Sequence, residues 1–380
     1  MYKKIFLLIS VLYLHGCSVF IPYKNLPEPD GENIIGTDIF EIEDSSREEW
    51  FTEEKNDKRK IIVQVWYPAT EPSDSIYPYI DNHQIRIPEI AKQMDVPKSF
   101  VKHIKNIKAN AFYKAKPINK KFPVIIFSHG LGGTKIQNSI NVESLASNGY
   151  IVYAIDHPFD AGITIFEDKT TAIFDSYLPD GSTEKEFWEA RLPQINTRSA
   201  DISFLIDKIE YFIQSDYYLG KISNINKIGI FGHSFGGGTS IVASHNDSRI
   251  SACLNLDGWL EPVPNYIINN GINIPFYYIG QIQKNWDGAL FNEQKLYDFH
   301  NNTKNSIIIE IDRTKHFDYT DAPYFNRVTR ILGVSGKSGK NITIDLNHTI
   351  NDFFDYYLKN KNQFKYDDFI SKYETEVLNK

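Results

Sequence analysis

The chain has 380 residues and a formal net charge of −7, from 41 basic and 48 acidic side chains. That balance leaves no basic footprint for nucleic acid. With 42% hydrophobic and 14% aromatic residues, the length suffices for a large core, built as one α/β domain with insertions or as two domains.

Met1-Tyr2-Lys3-Lys4 precedes a mostly apolar run from Ile5 to Leu14 and then His15-Gly16-Cys17-Ser18. Two lysines and so short a run describe a signal peptide, because a membrane span needs about 20 apolar residues. Leu14-His15-Gly16-Cys17 resembles the lipobox of bacterial lipoproteins, where the cysteine becomes the lipidated first residue; His15 stands where a small residue is usual. An ordinary signal peptide with an incidental cysteine is the alternative. The expectation is a signal peptide over residues 1–16, a lipid on Cys17, and anchoring in a bacterial envelope. Ser18 is not a retention residue, which points to the outer membrane. If Cys17 carries lipid, Cys253, the one other cysteine, has no disulfide partner. Pro22, Pro27 and Pro29 among polar neighbours predict a tether over residues 17–40.

Lys60–Pro68 alternates and predicts an early strand. Residues 80–117 are mixed and predict partial helix, with Pro88 and Pro97 as punctuation. Short apolar runs then predict buried parallel strands at Pro123–Phe127, Ile151–Ile155, Ile225–Phe231, Ile250–Leu256, Ile274–Ile279 and Ser306–Ile311. Helix-length stretches lie between them at Ile136–Asn148, Arg198–Tyr211 and Glu293–His300, with a last amphipathic helix at Asn347–Leu358. Alternating units of this length imply a mostly parallel sheet with helices on both faces. Residues 157–197 exceed a simple connection and predict a cap or lid within one domain spanning 41–380.

The decisive motif is Gly232-His233-Ser234-Phe235-Gly236, directly after Lys227-Ile228-Gly229-Ile230-Phe231 and before the small residues Gly237-Gly238-Thr239-Ser240. Strand, sharp turn and helix in that order expose a serine hydroxyl at the top of a sheet. A Gly-rich turn that merely packs closely is the bland alternative. A nucleophilic serine needs a base, an orienting acid and two donors for the oxyanion, with acid and base following it in the chain.

Of ten histidines, His316 alone lies just past the last apolar strand. His129 and His157 also end strands but precede Ser234, His245 lies in the helix after the elbow, and His300 and His348 lie on helical stretches. Two acids compete. Asp257 follows strand Ile250–Leu256 at once, whereas Asp287 lies well beyond Gly280. The strand end holds its residue more rigidly and favours Asp257. The expected oxyanion donors are the N–H of Phe235 and that of Leu131, in the turn Ser128-His129-Gly130-Leu131-Gly132-Gly133. A phosphate-binding glycine loop is the competing reading of that turn, but neither G-x-G-x-x-G nor G-K-[ST] occurs. Asp156-His157 should support the loop below the cap. Trp259 is a candidate for the acyl pocket, with core packing as an equal reading.

At these residues the chain resembles a known family. Phe122–Gly132 is similar to the oxyanion strand of the secreted, plasma-type platelet-activating-factor acetylhydrolases, Ile228–Gly237 to their nucleophile elbow, Leu256-Asp257-Gly258-Trp259 to their acid motif, and Thr314-Lys315-His316 to their histidine segment. The resemblance spans roughly residues 60–360. It implies an α/β-hydrolase fold and ester hydrolysis that needs no metal or other cofactor. It also supports Asp257 over Asp287, and Leu131 with Phe235.

The expected function is therefore a serine ester hydrolase that releases short acyl chains, from phospholipids, through Ser234, His316 and Asp257. A general carboxylesterase or polyester hydrolase is the nearer alternative. A silent hydrolase-fold lipoprotein that binds a ligand is the more distant one. The expected partners are a small ester or phospholipid substrate and a membrane reached through the N-terminal lipid, with no nucleic acid and no obligate protein partner.

Overall fold

Alternation within the apolar runs gives the sheet two buried faces. In β5, Val124 and Ile126 join one core cluster while Ile125 and Phe127 join another, and all four are buried. Side chains of successive strand residues point to opposite faces, so a run apolar at every position must be covered on both sides. The computed structural model describes residues 25–175, 178–179, 181–282, 289–325, 335–336, 339–361, 364 and 367–380. Cys17, the signal peptide and Asp287 lie outside the described residues.

In chain order the strands are β1 (Ile34–Glu48), β2 (Lys58–Ala69), β3 (Ile76–Pro78), β4 (Lys108–Tyr113), β5 (Phe122–Ser128), β6 (Ile151–Asp156), β7 (Ile163–Ile165), β8 (Thr171–Ile173), β9 (Ser223–His233), β10 (Ile250–Leu256), β11 (Phe276–Gln281), β12 (Ser306–Ile311) and β13 (Thr375–Asn379). The longer helices are α1 (His83–Gln93), α2 (Ser139–Ser147), α3 (Glu184–Gln214), α4 (Phe235–Asn246), α5 (Ala289–Asn302) and α6 (Gly339–Lys359). Eleven strands form one sheet in the order β13-β12-β11-β10-β9-β5-β6-β2-β1-β4-β3, and β7 pairs with β8. The block from β6 to β12 is parallel, while β2 and β13 run antiparallel to its two edges. Helices α3 and α4 pack on one face through Ile202, Leu205, Ile206 and Ile241, and α2 and α6 on the other through Leu145, Ile350 and Phe354. Parallel neighbours need crossover connections; α2 to α5 lie in four of them, and the short helix Asn265–Asn270 lies in the one between β10 and β11. Among the described residues no helix is long and apolar enough to cross a membrane.

Three expectations need correction. Residues 26–40, expected within a tether, are packed on the fold. Leu26 is buried and bonds through its N–H to the Lys108 carbonyl, Asn33 bonds to Ser147, and β1 begins at Ile34. Prolines signal extended chain, and extended chain laid along a protein reads the same as a free linker. Helix α3 starts at Glu184, well before Arg198, because Thr183 and Glu186 form a reciprocal capping box and Pro193 is carried inside the helix. The stretch 80–117 also holds a strand, β4, and Pro88 lies within α1. The described residues of 157–197 include the paired strands β7 and β8 and the first turns of α3.

Candidate active site

The carboxyl ends of the parallel strands carry the expected residues, as the crevice rule for such sheets requires. Ser234 sits between the end of β9 and the start of α4 with φ 56° and ψ −123°. That is a strained backbone for an L residue. The turn closes only because both flanking glycines lack side chains. A Cβ on Gly232 would stand 2.2 Å from the Gly236 carbonyl oxygen, and one on Gly236 would stand 2.0 Å from the Ser128 carbonyl oxygen. The carbonyl of Ser234 accepts from the N–H groups of Gly237 and Trp259, each at 2.9 Å. The turn is thus tied to the helix it starts and to the loop after β10.

Asp257 directly follows β10, with its N–H bonded to the Ile279 carbonyl at 2.8 Å. His316 opens a short 3-10 turn, His316–Tyr319, past the end of β12. The structure brings these two together: His316 Nδ1 lies 2.6 Å from Asp257 Oδ2. The Asp257 side chain is 1% exposed and that of His316 37% exposed. The carboxylate of Asp257 also accepts from the Gln281 N–H and side-chain amide, each at 2.9 Å, and from Tyr278 Oη at 3.3 Å. A carboxylate can only accept, so Nδ1 of His316 carries the proton and Nε2 is left with its lone pair.

The turn after β5 lies against the serine. A Cβ on Gly130 would be 3.1 Å from Ser234 Cβ. The Gly130 N–H bonds to Gln137 Oε1, that of Gly132 to the Asp160 carbonyl, and that of Gly133 to the Gly130 carbonyl. The Leu131 N–H between them has no partner among the described residues. Phe235 is the first residue of α4, where an N–H has no intrahelical acceptor. Two amides beside Ser234 are therefore left without an acceptor among the described residues.

Trp259 is half-buried, its ring 5.7 Å from Phe235 and 6.0 Å from Phe187 of α3, with the Arg191 guanidinium 5.6 Å away. Asp160 and Gly162 are bolted to the 128–133 turn by the Gly132 N–H to the Asp160 carbonyl and by the Gly162 N–H to the Gly133 carbonyl. Asp156 and His157 are buried in ion-pair and hydrogen-bond networks. Asp156 meets Lys135 and Arg86, each at 3.3 Å, and His157 meets Ser128 and Asp201. His245 lies in α4 and His300 in α5, as their positions predict. Sequence reasoning missed Gln281, Tyr278, Gln137 and His233. Only Gln281, the last residue of β11 and just past the apolar run, stood where a signal could have been found. Among the described residues no group of three or more His, Cys, Asp or Glu side chains is placed to hold a metal ion.

Residues 22–377 match the family described as platelet-activating factor acetylhydrolase, isoform II. The chain belongs to that family. The platelet-activating factor acetylhydrolase of Gallus gallus is 26% identical over 301 residues, which cover 71% of this chain and 70% of that one. The Cavia porcellus protein of the same name is 27% identical over 245 residues, 60% of this chain and 55% of that one. Family membership and these relatives make the chain a carboxylic ester hydrolase. A ferulic acid esterase from Streptomyces cinnamoneus superposes with a TM-score of 0.73 over 90% of this chain and 94% of its own, at 20% identity. That likeness concerns the fold, which is the α/β-hydrolase fold.

Proposed function

We propose that this acetylhydrolase-family member is a serine esterase that releases short acyl chains from phospholipids through Ser234, His316 and Asp257. The observation that carries the reading is the 2.6 Å contact between His316 and Asp257 beside a serine on a strained strand–helix turn. His316 Nε2 removes the hydroxyl proton as Ser234 Oγ attacks the ester carbonyl. The carbonyl π pair moves onto oxygen, where the N–H groups of Leu131 and Phe235 receive it. His316 then gives its proton to the leaving alcohol oxygen as the ester C–O bond breaks. Water, deprotonated by His316, attacks the acyl-enzyme, and Ser234 leaves with the proton returned. Asp257 keeps the imidazole in the productive tautomer and stabilises the imidazolium. Trp259 and Leu131, both half-buried, would line the acyl pocket, with the fully buried Phe235 ring packed behind Trp259.

The names of the relatives supply the substrate class: a glycerophospholipid with a short acyl group. The N-terminal sequence supports a second proposal, that Cys17 carries lipid and holds the enzyme in the cell envelope. Incorporation of labelled palmitate that Cys17→Ala abolishes would support it, and incorporation that survives would remove it.

Hydrolysis of a 2-acetyl phospholipid beside a plain acetyl ester, by the full chain and by Ser234→Ala, tests the catalytic reading. Serine-dependent cleavage favouring the phospholipid is the expected result. Serine-dependent cleavage of the plain ester alone would move the function to general esterase. Absence of turnover and of fluorophosphonate labelling at Ser234 would overturn the mechanism.

A further inference from the structure

One fully buried arginine touches both halves of the oxyanion site, and no step above uses it. Arg198 lies on α3 and is 0% exposed. Its Nη2 donates to Ser128 Oγ at 3.0 Å and to the carbonyl oxygen of His129. Its guanidinium carbon stands 4.9 Å from the centre of the Phe235 ring. The same side chain therefore contacts the turn leading to Leu131 and the residue that supplies the second N–H.

Ser128 is itself held from behind. Its Oγ lies 3.1 Å from His157 Nε2, and His157 Nδ1 lies 2.9 Å from Asp201 Oδ2. Asp201 also accepts from Arg59 Nη2 at 2.7 Å, and Arg59 reaches Glu49 at 2.6 Å. The proton directions follow from the end of the chain. Asp201 only accepts, so His157 carries its proton on Nδ1 and its Nε2 accepts from the Ser128 hydroxyl. Burial pushes His157 down to about 3, which keeps it neutral. Ser128 Oγ then keeps a lone pair for Arg198. Ser128, His157 and Asp201 have the connectivity of a catalytic triad, but all three are 0% exposed. No substrate carbonyl reaches that serine, and its use is to orient Arg198.

The countercharge on Arg198 is thin. Its Nε lies 3.9 Å from Asp160 Oδ2. Asp160 is shared with Gln194, whose amide donates to Oδ1 at 2.5 Å. Asp201 is engaged by Arg59 and Arg47. Burial pulls the guanidinium down to about 10, with Asp160 offsetting only part of that cost. It stays charged at neutral pH. A fixed cation with incomplete compensation, in a low-dielectric interior, favours any negative charge that develops nearby.

We propose that Arg198 is a positioning residue of the oxyanion hole, holding the 128–131 turn and Phe235 in register and lending its charge to the oxyanion. The inference rests on the assignment of Ser234, Leu131 and Phe235 made above. A displacement of about 1 Å at such a site costs about 100-fold in rate, while loss of one oxyanion donor costs about 10²–10³-fold.

The test uses Arg198→Lys, Arg198→Met, Ser128→Ala and Ser234→Ala in the full chain. Four readouts are taken: melting temperature, fluorophosphonate labelling of Ser234, kcat and KM on an acetyl ester, and inhibition by a trifluoromethyl ketone. That ketone forms an oxyanion-bearing hemiketal with a nucleophilic serine. Per labelled site, Arg198→Lys should lose about 10-fold in kcat and Arg198→Met about 100-fold, with KM within about twofold and ketone affinity falling in parallel. Ser128→Ala should shift both in the same direction by a few-fold, and it decides the matter if neither Arg198 variant folds. A folded Arg198 variant whose kcat and ketone affinity per site match wild type would show that the arginine serves stability alone. Unchanged values for Ser128→Ala, in the absence of folded Arg198 variants, would equally overturn the proposal. Ser234→Ala separates the two readings. Turnover that survives it removes the nucleophile and this proposal together, whereas turnover lost with Ser234 but kept without Arg198 removes the proposal alone.

Discussion

The imidazole of His233 donates from Nε2 to the carbonyl oxygen of His316, 2.9 Å away, so the residue before Ser234 holds the backbone of His316. The carbonyl can only accept, which places the His233 proton on Nε2. Nδ1 then accepts from the Gln137 side-chain amide at 3.2 Å, while Gln137 Oε1 accepts from the Gly130 N–H at 2.8 Å. Burial pushes His233 well below the usual histidine range, so it stays neutral and this pattern persists across ordinary pH. The turn at Gly130, the turn at Ser234 and the loop at His316 are thus joined by the side chains of Gln137 and His233.

Removing that donor should loosen His316 without altering any reacting group. His233→Leu is expected to lower kcat about 10- to 100-fold. His233→Gln, which retains an N–H near the same place, should recover most of it. Steady-state kinetics on an acetyl ester, corrected for the folded fraction, check this. Equal loss in both variants would mean that the ring packing, with centroids 4.5 Å apart, matters and the hydrogen bond does not.

Asp257 accepts from His316, Tyr278 and two groups of Gln281. An amide in its place would turn an NH₂ against one pair of donors and favour the wrong histidine tautomer. Asp257→Asn should therefore cost roughly three to four orders of magnitude in kcat. Gln281→Ala should cost about 10-fold, because the carboxylate keeps its partner and loses only its aim. A loss under tenfold for Asp257→Asn would return the role to another acid, with Asp287 next in line.

The parts of this arrangement that were legible in the sequence are those that one segment determines by itself. Ile250–Leu256 and Ser306–Ile311 are apolar at all but two positions each, and the structure gives both strands the same bounds. Ser234 and Phe235 lie in a motif whose strain is local, and Asp257 and His316 sit directly at or just past strand ends. Illegible were elements whose signal lies in their partners. β13 is largely exposed and owes its place to pairing with β12. β1 mixes charged and apolar residues because β2 and β4 flank it while one end faces water. Gln137, His233 and Arg198 act across long sequence separations, and no spacing rule in a single chain brings them together.

The backbone of Ser234 should show its strain in stability. At φ 56° and ψ −123° a glycine sits more easily than any residue with a Cβ, and such a conformation costs about 1–3 kcal/mol. The added freedom of glycine in the unfolded chain returns about 0.4–1 kcal/mol of that. Ser234→Gly should therefore be more stable than Ser234→Ala by about 1 kcal/mol, with both inactive. Urea unfolding at neutral pH measures the difference. An alanine variant at least as stable as the glycine variant would show that the turn stores no strain.

Glu143 offers a pH test that does not involve the site. It lies on α2, 1% exposed, and accepts from the Asn110 N–H at 3.1 Å and the Asn110 side-chain amide at 2.8 Å. Burial raises its pKa from the usual 4.5 to about 7, the Asn110 bonds offsetting only part. Between those values the folded chain holds a proton that the unfolded chain has released. Stability from this group is then complete below about 4.5 and is lost as pH rises through about 7, amounting to about 3 kcal/mol in total. Other groups contribute slopes of their own, so the comparison must be with a variant that cannot ionise there. Glu143→Gln should be no more stable than wild type at pH 5, because one Asn110 donor loses its acceptor. Relative to wild type it should gain about 3 kcal/mol between pH 4.5 and pH 8. Urea midpoints of both proteins at several pH values give the difference directly. A stability gap that stays flat across the window would mean that Glu143 is ionised in the folded protein throughout, with Asn110 sufficient to hold its charge.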